Sequence, residues 1–347
     1  MPGSQVHPAG RHRQVSEPVQ GEEFKDDFRK ALPKELVQRL TRRSAWRSSA
    51  ALLQDIFVLI VSVSVALAFW PNPLIVGLAV IIIGTRQHAL FVMAHDAAHY
   101  LLYDSRWLND AVGRACSTVQ GLSMRTYRVI HRLHHNHLYG ELDPDTALHG
   151  GYPRGRAYLV KKLLKDLAGL TAWKTYTYFL GGAPALNTAT NKALRPLDDT
   201  SSKLRDEARA DRNAVIAFHV IALGLFALSG YLVRYLVLWI LPLVTVVQAI
   251  LRLRAIAEHG ATTDFSSPLT AARTNVAPAW LEWLIFPHQV NYHIEHHLYA
   301  SVPHYNLRSL HREMLERGVL DGAEVVPFAV TLGKIFAASA ASPASTN

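Results

Sequence analysis

Four stretches of the chain are apolar for long enough to span a bilayer, and polar segments separate them. The first runs over about 50–70, with one ionisable residue, Asp55, near its start. The second, 73–94, contains the run LIVGLAVIII, and the third and fourth cover 214–230 and 231–251. A spanning helix needs about 20 mainly apolar residues, so the third must tilt little or draw on its flanks. Apolar runs also form buried core helices, but stretches beyond about 18 residues favour spans. The turns between partners are short: Trp70-Pro71-Asn72-Pro73 joins the first pair and Ser229-Gly230-Tyr231 the second. Proline and glycine punctuate tight helical hairpins in this way. The pattern predicts an all-α integral membrane protein whose four transmembrane helices form two hairpins.

Charge then orients the hairpins. Lys and Arg crowd residues 1–49 and the segments after the second and fourth spans, whereas the two turns carry almost none, Arg234 being the nearest. The positive-inside rule places both termini and the middle segment, about 100–212, in the cytoplasm. No apolar stretch follows Met1, so a cleaved signal peptide is not expected. Residues 1–49 read as a cytoplasmic N-terminal segment, with 1–20 disordered; 50–336 as the membrane domain; 337–347 as a disordered tail of Ala, Ser, Pro and Thr. Residues 163–181 are aromatic and amphipathic, through Trp173, Tyr176, Tyr178 and Phe179. Such a segment either lies in the membrane interface or packs as a helix on the cytoplasmic part.

Composition agrees with a membrane protein. Only 18% of the 347 residues are charged, below the roughly 25% of a soluble domain. A lone Cys116 excludes an internal disulfide, a Cys-ligated iron–sulfur cluster and a CxxC site. The net charge of +9 points to an anionic partner, either a membrane surface or an acidic protein. Nucleic acid is not expected, because the basic residues are scattered and adjoin the spans.

The chain holds 18 histidines, and they cluster. His95 and His99 stand in HDAAH just after the second span; His131, His134 and His135 in HRLHH; His293, His296 and His297 in HIEHH; and His259 in AEHG past the fourth span. Residues i and i+4 share one helix face. His95 and His99 can therefore meet one metal, and each HxxHH sends three imidazoles from one face. Two triplets, one pair and His259 offer nine nitrogens, too many for one tetrahedral zinc. They suit two ions of five or six coordination. Imidazole-rich sites favour iron, copper, zinc or nickel, and with no thiolate available a pair of irons is the best reading. Every cluster falls on the cytoplasmic side of the predicted hairpins. A surface His cluster is the plain alternative for any single box, but not for three boxes in this order.

With HDAAH at 95–99, HRLHH at 131–135 and NYHIEHHL at 291–298, the chain resembles the membrane fatty-acid desaturase superfamily over about 91–305. That superfamily includes desaturases, hydroxylases and carotenoid ketolases. The resemblance implies a four-helix anchor carrying a cytoplasmic helical cap with a di-iron site, and oxygen-dependent oxidation of an unactivated C–H bond. Carried over position by position, it implies His95, His99, His131, His134, His135, His293, His296 and His297 as iron ligands. His259 matches the additional histidine near the end of the last span. Some members add an Asn that holds a metal-bound water, for which Asn291 is the candidate. The first box, HxxxH, lacks the extra residue that acyl-type members often carry, so the substrate subclass stays open. Compact size and AEHG look closer to bacterial and ketolase-like members.

Ligating imidazoles usually donate their second N–H to a carboxylate or carbonyl. Asp96, Asp143, Asp145, Glu258 and Glu295 are candidates for that role. Asp143-Pro144-Asp145 also reads as a turn, and Glu258 as a helix-end carboxylate. Two electrons are needed per turnover, and no GxGxxG fingerprint or cysteine set is present to fetch them. A separate donor is implied, ferredoxin or cytochrome b5 with its reductase, and a basic face attracts acidic carriers. The leading reading is a desaturase of a fatty-acyl or lipid-like chain. The alternatives are a hydroxylase or ketolase, a desaturase of a small non-lipid metabolite and, from another class, a membrane zinc hydrolase. Alanine richness and the lack of a C-terminal retrieval signal lean towards a bacterial inner membrane.

Overall fold

The computed structural model describes residues 30–182, 185–186, 192–198, 200–265 and 267–338. The disorder expected over 1–20 and over most of 337–347 lies outside them. The described chain is mostly helical. Helix α1 is Lys34–Leu40, α2 Ala45–Ala68, α3 Pro73–Ala98, α4 Arg106–Thr118, α5 Met124–Asn136, α6 Arg156–Leu167 and α7 Ala172–Phe179. Then follow α8 Ser202–Leu228, α9 Leu232–His259, α10 Ala279–Ile285, α11 His293–Leu298, α12 His304–Glu316 and α13 Phe328–Ile335. A short parallel pair, β1 Thr274–Val276 with β2 Val325–Pro327, ties the last segments together.

Four helices, α2, α3, α8 and α9, are long and apolar enough to cross a membrane. Their starts are set locally. Asn72 accepts from the N–H groups of Leu74 and Ile75, and Pro73 occupies the first helical turn, where its missing N–H costs nothing. Ser44 and Ser201 cap α2 and α8 in the same way. Helix α8 begins twelve residues before the apolar run at 214, on a polar and charged stretch, so the helix is longer than the run. Helix α9 contains a π-helical turn at Leu236–Ile240 and a break in backbone angles at Thr245. Leu53, Phe57 and Ile60 on α2, and Val220, Ile221 and Leu225 on α8, are exposed, as expected of faces whose solvent is lipid.

Helices α3 and α9 cross closely at Gly84. A Cβ placed there would stand 2.6 Å from Val246 Cβ, so only glycine permits the approach. Beyond Ala98, helix α4 packs back on α3, and α5 packs on α3 and α8. Ser44, at the start of α2, donates its N–H to the Tyr305 hydroxyl (2.5 Å), and Asp211 of α8 accepts from Ser123 and from the Arg125 N–H. The aromatic segment 163–181 is two helices broken at Gly169, whose φ is +76°, instead of one. Tyr178 and Phe179 enter the core while Trp173 stays exposed.

Candidate metal centre

Helix α5 carries HRLHH into the molecule and divides it. His131 and His135 meet His95 and His99 from the end of α3 and His296 from α11. One nitrogen of each of these five lies within 4.8 Å of all the others. His131 Nε2 is 2.8 Å from His99 Nε2 and 3.0 Å from His135 Nε2, which is 3.0 Å from His296 Nε2. His134 turns instead to a second group with His259, His293 and His297. There His259 Nε2 stands 2.7 Å from His293 Nε2, 3.2 Å from His134 Nε2 and 3.3 Å from His297 Nε2. Each HxxHH triplet thus serves two groups: positions i and i+4 stay together and i+3 departs. The three imidazoles of each box thus leave one side of their helix but divide between the two groups.

Nine ring nitrogens crowd into these two groups, on eight buried rings and the half-buried His99, and those in contact cannot all donate, since a neutral imidazole has one N–H. A cation bound at about 2.0–2.1 Å by each nitrogen resolves the conflict, so the residues present fit two metal ions. Burial, with the neighbouring rings, holds His131, His135, His293 and His296 well below the ordinary histidine pKa, and pushes His99 down to about 3. Neutral imidazole is the form that binds metal.

The groups behind the rings are only partly those expected. Burial lowers the His134 pKa, but Asp143, 3.0 Å from Nδ1, together with the charges of Asp145 and Glu258 outweighs it and carries the value up to about 9. In neutral His134 the proton therefore sits on Nδ1 and the Nε2 lone pair faces His259. Asp143 also accepts the N–H groups of Tyr139 and Asp145 (2.9 Å each), so turn and outer support coexist in one residue. Asp145 accepts from the Tyr178 hydroxyl at 3.0 Å, and burial raises its carboxyl to about 6. Asp96 bridges His95 Nδ1 at 3.3 Å and His304 Nδ1 at 2.8 Å.

Two candidates have other hydrogen-bond partners. Glu295 is held by His311 (2.5 Å) and Thr274 (2.6 Å), because in α11 the three histidines share one side and Glu295 takes the other. The Asn291 amide donates to the Asn275 carbonyl at 3.0 Å and to Glu282 at 3.4 Å, bracing β1. Glu258 lies beside Arg254, with one oxygen 3.8 Å from His293 Nε2. Sequence reasoning missed His304 and His311, which stand outside any box spacing. It also left aside His149, a nitrogen of which groups with His134 and Asp143. Arg252 and Arg254, near the end of α9, pair inward with Asp166 and Glu258.

A cavity of about 810 Å³ reaches both groups. His99, His131, His135 and His297 line it, with Ala98, Val129, Leu204 and Leu298 as apolar wall and Arg125, Arg128 and Arg132 as cationic wall.

Comparison with known proteins agrees with this arrangement. Residues 71–328 match the family profile described as fatty acid desaturase. The chain is 26% identical over 301 residues to an sn-1 oleoyl-lipid 12-desaturase of Anabaena variabilis, covering 84% of this chain and 81% of that one. It is 25% identical over 240 residues to an sn-1 acyl-lipid omega-3 desaturase (ferredoxin) of Nostoc sp. (strain 36), covering 65% and 63%. It is also 25% identical over 251 residues to a dihydrorhizobitoxine desaturase of Bradyrhizobium elkanii, covering 69% and 66%. Since the profile spans well over half of the chain, histidine boxes included, the protein belongs to the fatty acid desaturase family and is an oxidoreductase.

Proposed function

We propose that the protein is an oxygen-dependent desaturase that introduces a double bond into a fatty-acyl chain, using two iron ions held by the nine clustered histidines. The observation that carries this reading is the division of nine nitrogens into groups of five and four that share one cavity. His95, His99, His131, His135 and His296 would hold one iron; His134, His259, His293 and His297 the other. Bound iron supplies dioxygen activation and the removal of hydrogen from an unactivated C–H bond. The chain's own residues position and protect. Burial keeps His99, His131, His135, His293 and His296 neutral, and Asp143 and Asp96 fix the orientation of His134 and His95. The cavity volume falls in the range of about 300–1,000 Å³ usual for ligand sites. Its apolar wall suits an alkyl chain passing both histidine groups, and its arginines suit an anionic end. Substitution of Val129 by Phe, which fills part of that wall, is expected to lower kcat/KM for an acyl substrate by at least about tenfold, the effect of a misplaced substrate. Iron content should be unchanged; an unaffected kcat/KM would remove the chain from this cavity.

On this reading the two hairpins span a bacterial inner membrane, and the histidine end, capped by the remaining helices, faces the cytoplasm with both termini. Cys116 is buried, so a cysteine introduced at Ser301 reports orientation. A membrane-impermeant thiol reagent should reach it only from the cytoplasmic side. Electrons come from a separate donor of ferredoxin type, as named for the Nostoc relative, or cytochrome b5 with its reductase. The net charge of +9 favours an acidic carrier. The Bradyrhizobium relative, named for dihydrorhizobitoxine and not for an acyl lipid, keeps a small metabolite as the second reading.

The test is anaerobic purification, metal counting and product analysis with reduced ferredoxin and oxygen. Two irons per chain and an acyl product lighter by two hydrogens are expected. A product heavier by one oxygen would make the protein a hydroxylase. One zinc and oxygen-independent hydrolysis would overturn the reading altogether.

A further inference from the structure

Helix α6 presents an apolar row that nothing in the chain covers. Val160, Leu164 and Leu167 fall within about 60° of one another around its axis, and all three are exposed, Leu164 at 60%. Leu159 and Asp166, on the other side, are buried. The row continues past the turn at Gly169 through Leu170 and Trp173, 63% and 62% exposed. An exposed apolar row rimmed by polar residues marks a contact with another protein or with a membrane.

Depth and charge decide between the two. The turn between α6 and α7 lies against α9 within the apolar run 231–251. A Cβ at Gly169 would stand 3.5 Å from the Val244 carbonyl oxygen, and Tyr176 donates its hydroxyl to the Leu243 carbonyl at 3.1 Å. Those positions are about 10 Å short of the run's end, at 1.5 Å per residue. Asp166 accepts from Arg252 Nη2 at 3.0 Å, so α6 reaches the level where the run stops. A face at this depth borders the acyl chains and headgroups. Lys161, Lys165 and Lys174 are exposed around the row, and none has a carboxylate partner among the described residues. Lys174 Nζ stands 5.4 Å from the centre of the Trp173 ring. Leucine and tryptophan on one face with lysines beside them is the pattern of a helix lying in the interface of an anionic bilayer.

Resting on the reading of the four long helices as membrane spans, we propose that α6 and α7 form a docking surface for anionic lipid. The row Val160 to Trp173 enters the acyl boundary, and the three lysines hold anionic headgroups.

The full chain is labelled with bimane at Leu170→Cys, Cys116 being buried, and placed in nanodiscs of equal phosphatidylcholine and phosphatidylglycerol. One lipid or the other carries bromine on its acyl chains. Brominated lipid should quench the label, at least about twofold more when the phosphatidylglycerol is the brominated one. Lys161→Gln/Lys165→Gln/Lys174→Gln should abolish that preference and leave the quenching itself. Quenching by aqueous iodide in place of lipid, or by neither because another protein covers the face, overturns the proposal. Equal quenching by the two lipids in the chain with its lysines overturns the anionic preference. Should Leu170→Cys fail to fold, Leu164→Cys on the same row decides. A label at Val220→Cys, exposed on α8, is the reference: no lipid quenching there would sink the spanning reading itself.

Discussion

Replacing His134 by alanine is expected, on the two-metal reading proposed above, to remove one of the two ions and all measurable turnover while the protein remains inserted in the membrane. His134 is one of four nitrogens at the smaller group and the one that α5 contributes there. The void left by the ring opens towards Asp143, whose carboxylate then loses its partner at 3.0 Å. Altering an outer support of a ligand costs about 10–100-fold in metal affinity, and deleting the ligand costs more. The expected loss of turnover is therefore above about a thousandfold. Asp143→Asn, which keeps the ring and changes only its support, should fall in the 10–100-fold range. His131→Ala should be milder in metal content than His134→Ala, because four nitrogens remain at its position. Iron per chain, measured beside activity, checks the order. Equal metal loss from His131→Ala and His134→Ala would contradict the division into five and four.

That division was not legible in the sequence, although its members were. Helical spacing places His135 about 40° around the axis from His131, and His134 about 100° from His135. The spacing alone does not say whether the divergent ring stays with its neighbours or finds another partner. The answer depends on where α3, α9 and α11 arrive, which is a tertiary fact. The boxes were legible because local spacing on a helix is all they need. The outer supports were legible only where they sit within a few residues of a box, as Asp96 and Asp143 do. His304 supports Asp96 and His311 occupies Glu295, both from α12 and both outside any motif. The four spans were legible from apolar length, but not the extent of α8, whose first twelve residues are polar and helical because they pack on α5 and accept its hydrogen bonds at Asp211.

Asp55 is the clearest case of a residue whose meaning lies in its partners, and removing it should be among the most damaging changes outside the histidines. In the sequence it is a solitary charge in an apolar run. In the structure Asp55 and Arg86 are each 1% exposed and form an ion pair at 3.1 Å between α2 and α3. The other Asp55 oxygen lies 2.7 Å from His288 Nε2. Arg86 also donates to the Trp283 carbonyl and stacks on the Trp283 ring, its guanidinium carbon 3.8 Å from the ring centre. One network thus joins the first two long helices to the segment between β1 and α11, which leads into the third histidine box. Breaking a buried pair by removing one partner costs about 3–5 kcal/mol, since the other charge is left uncompensated. Asp55→Leu and Arg86→Leu are each expected to cause a loss of that size, seen as a lowered unfolding midpoint in detergent and poor accumulation in the membrane. The double variant Asp55→Leu/Arg86→Leu should recover much of the stability, because an apolar pair of similar volume can replace a buried ion pair at little cost. It should not recover the whole, because His288 and the Trp283 carbonyl lose their partners too. A double variant no more stable than the singles would show that the network acts through His288 and Trp283, not through the ion pair.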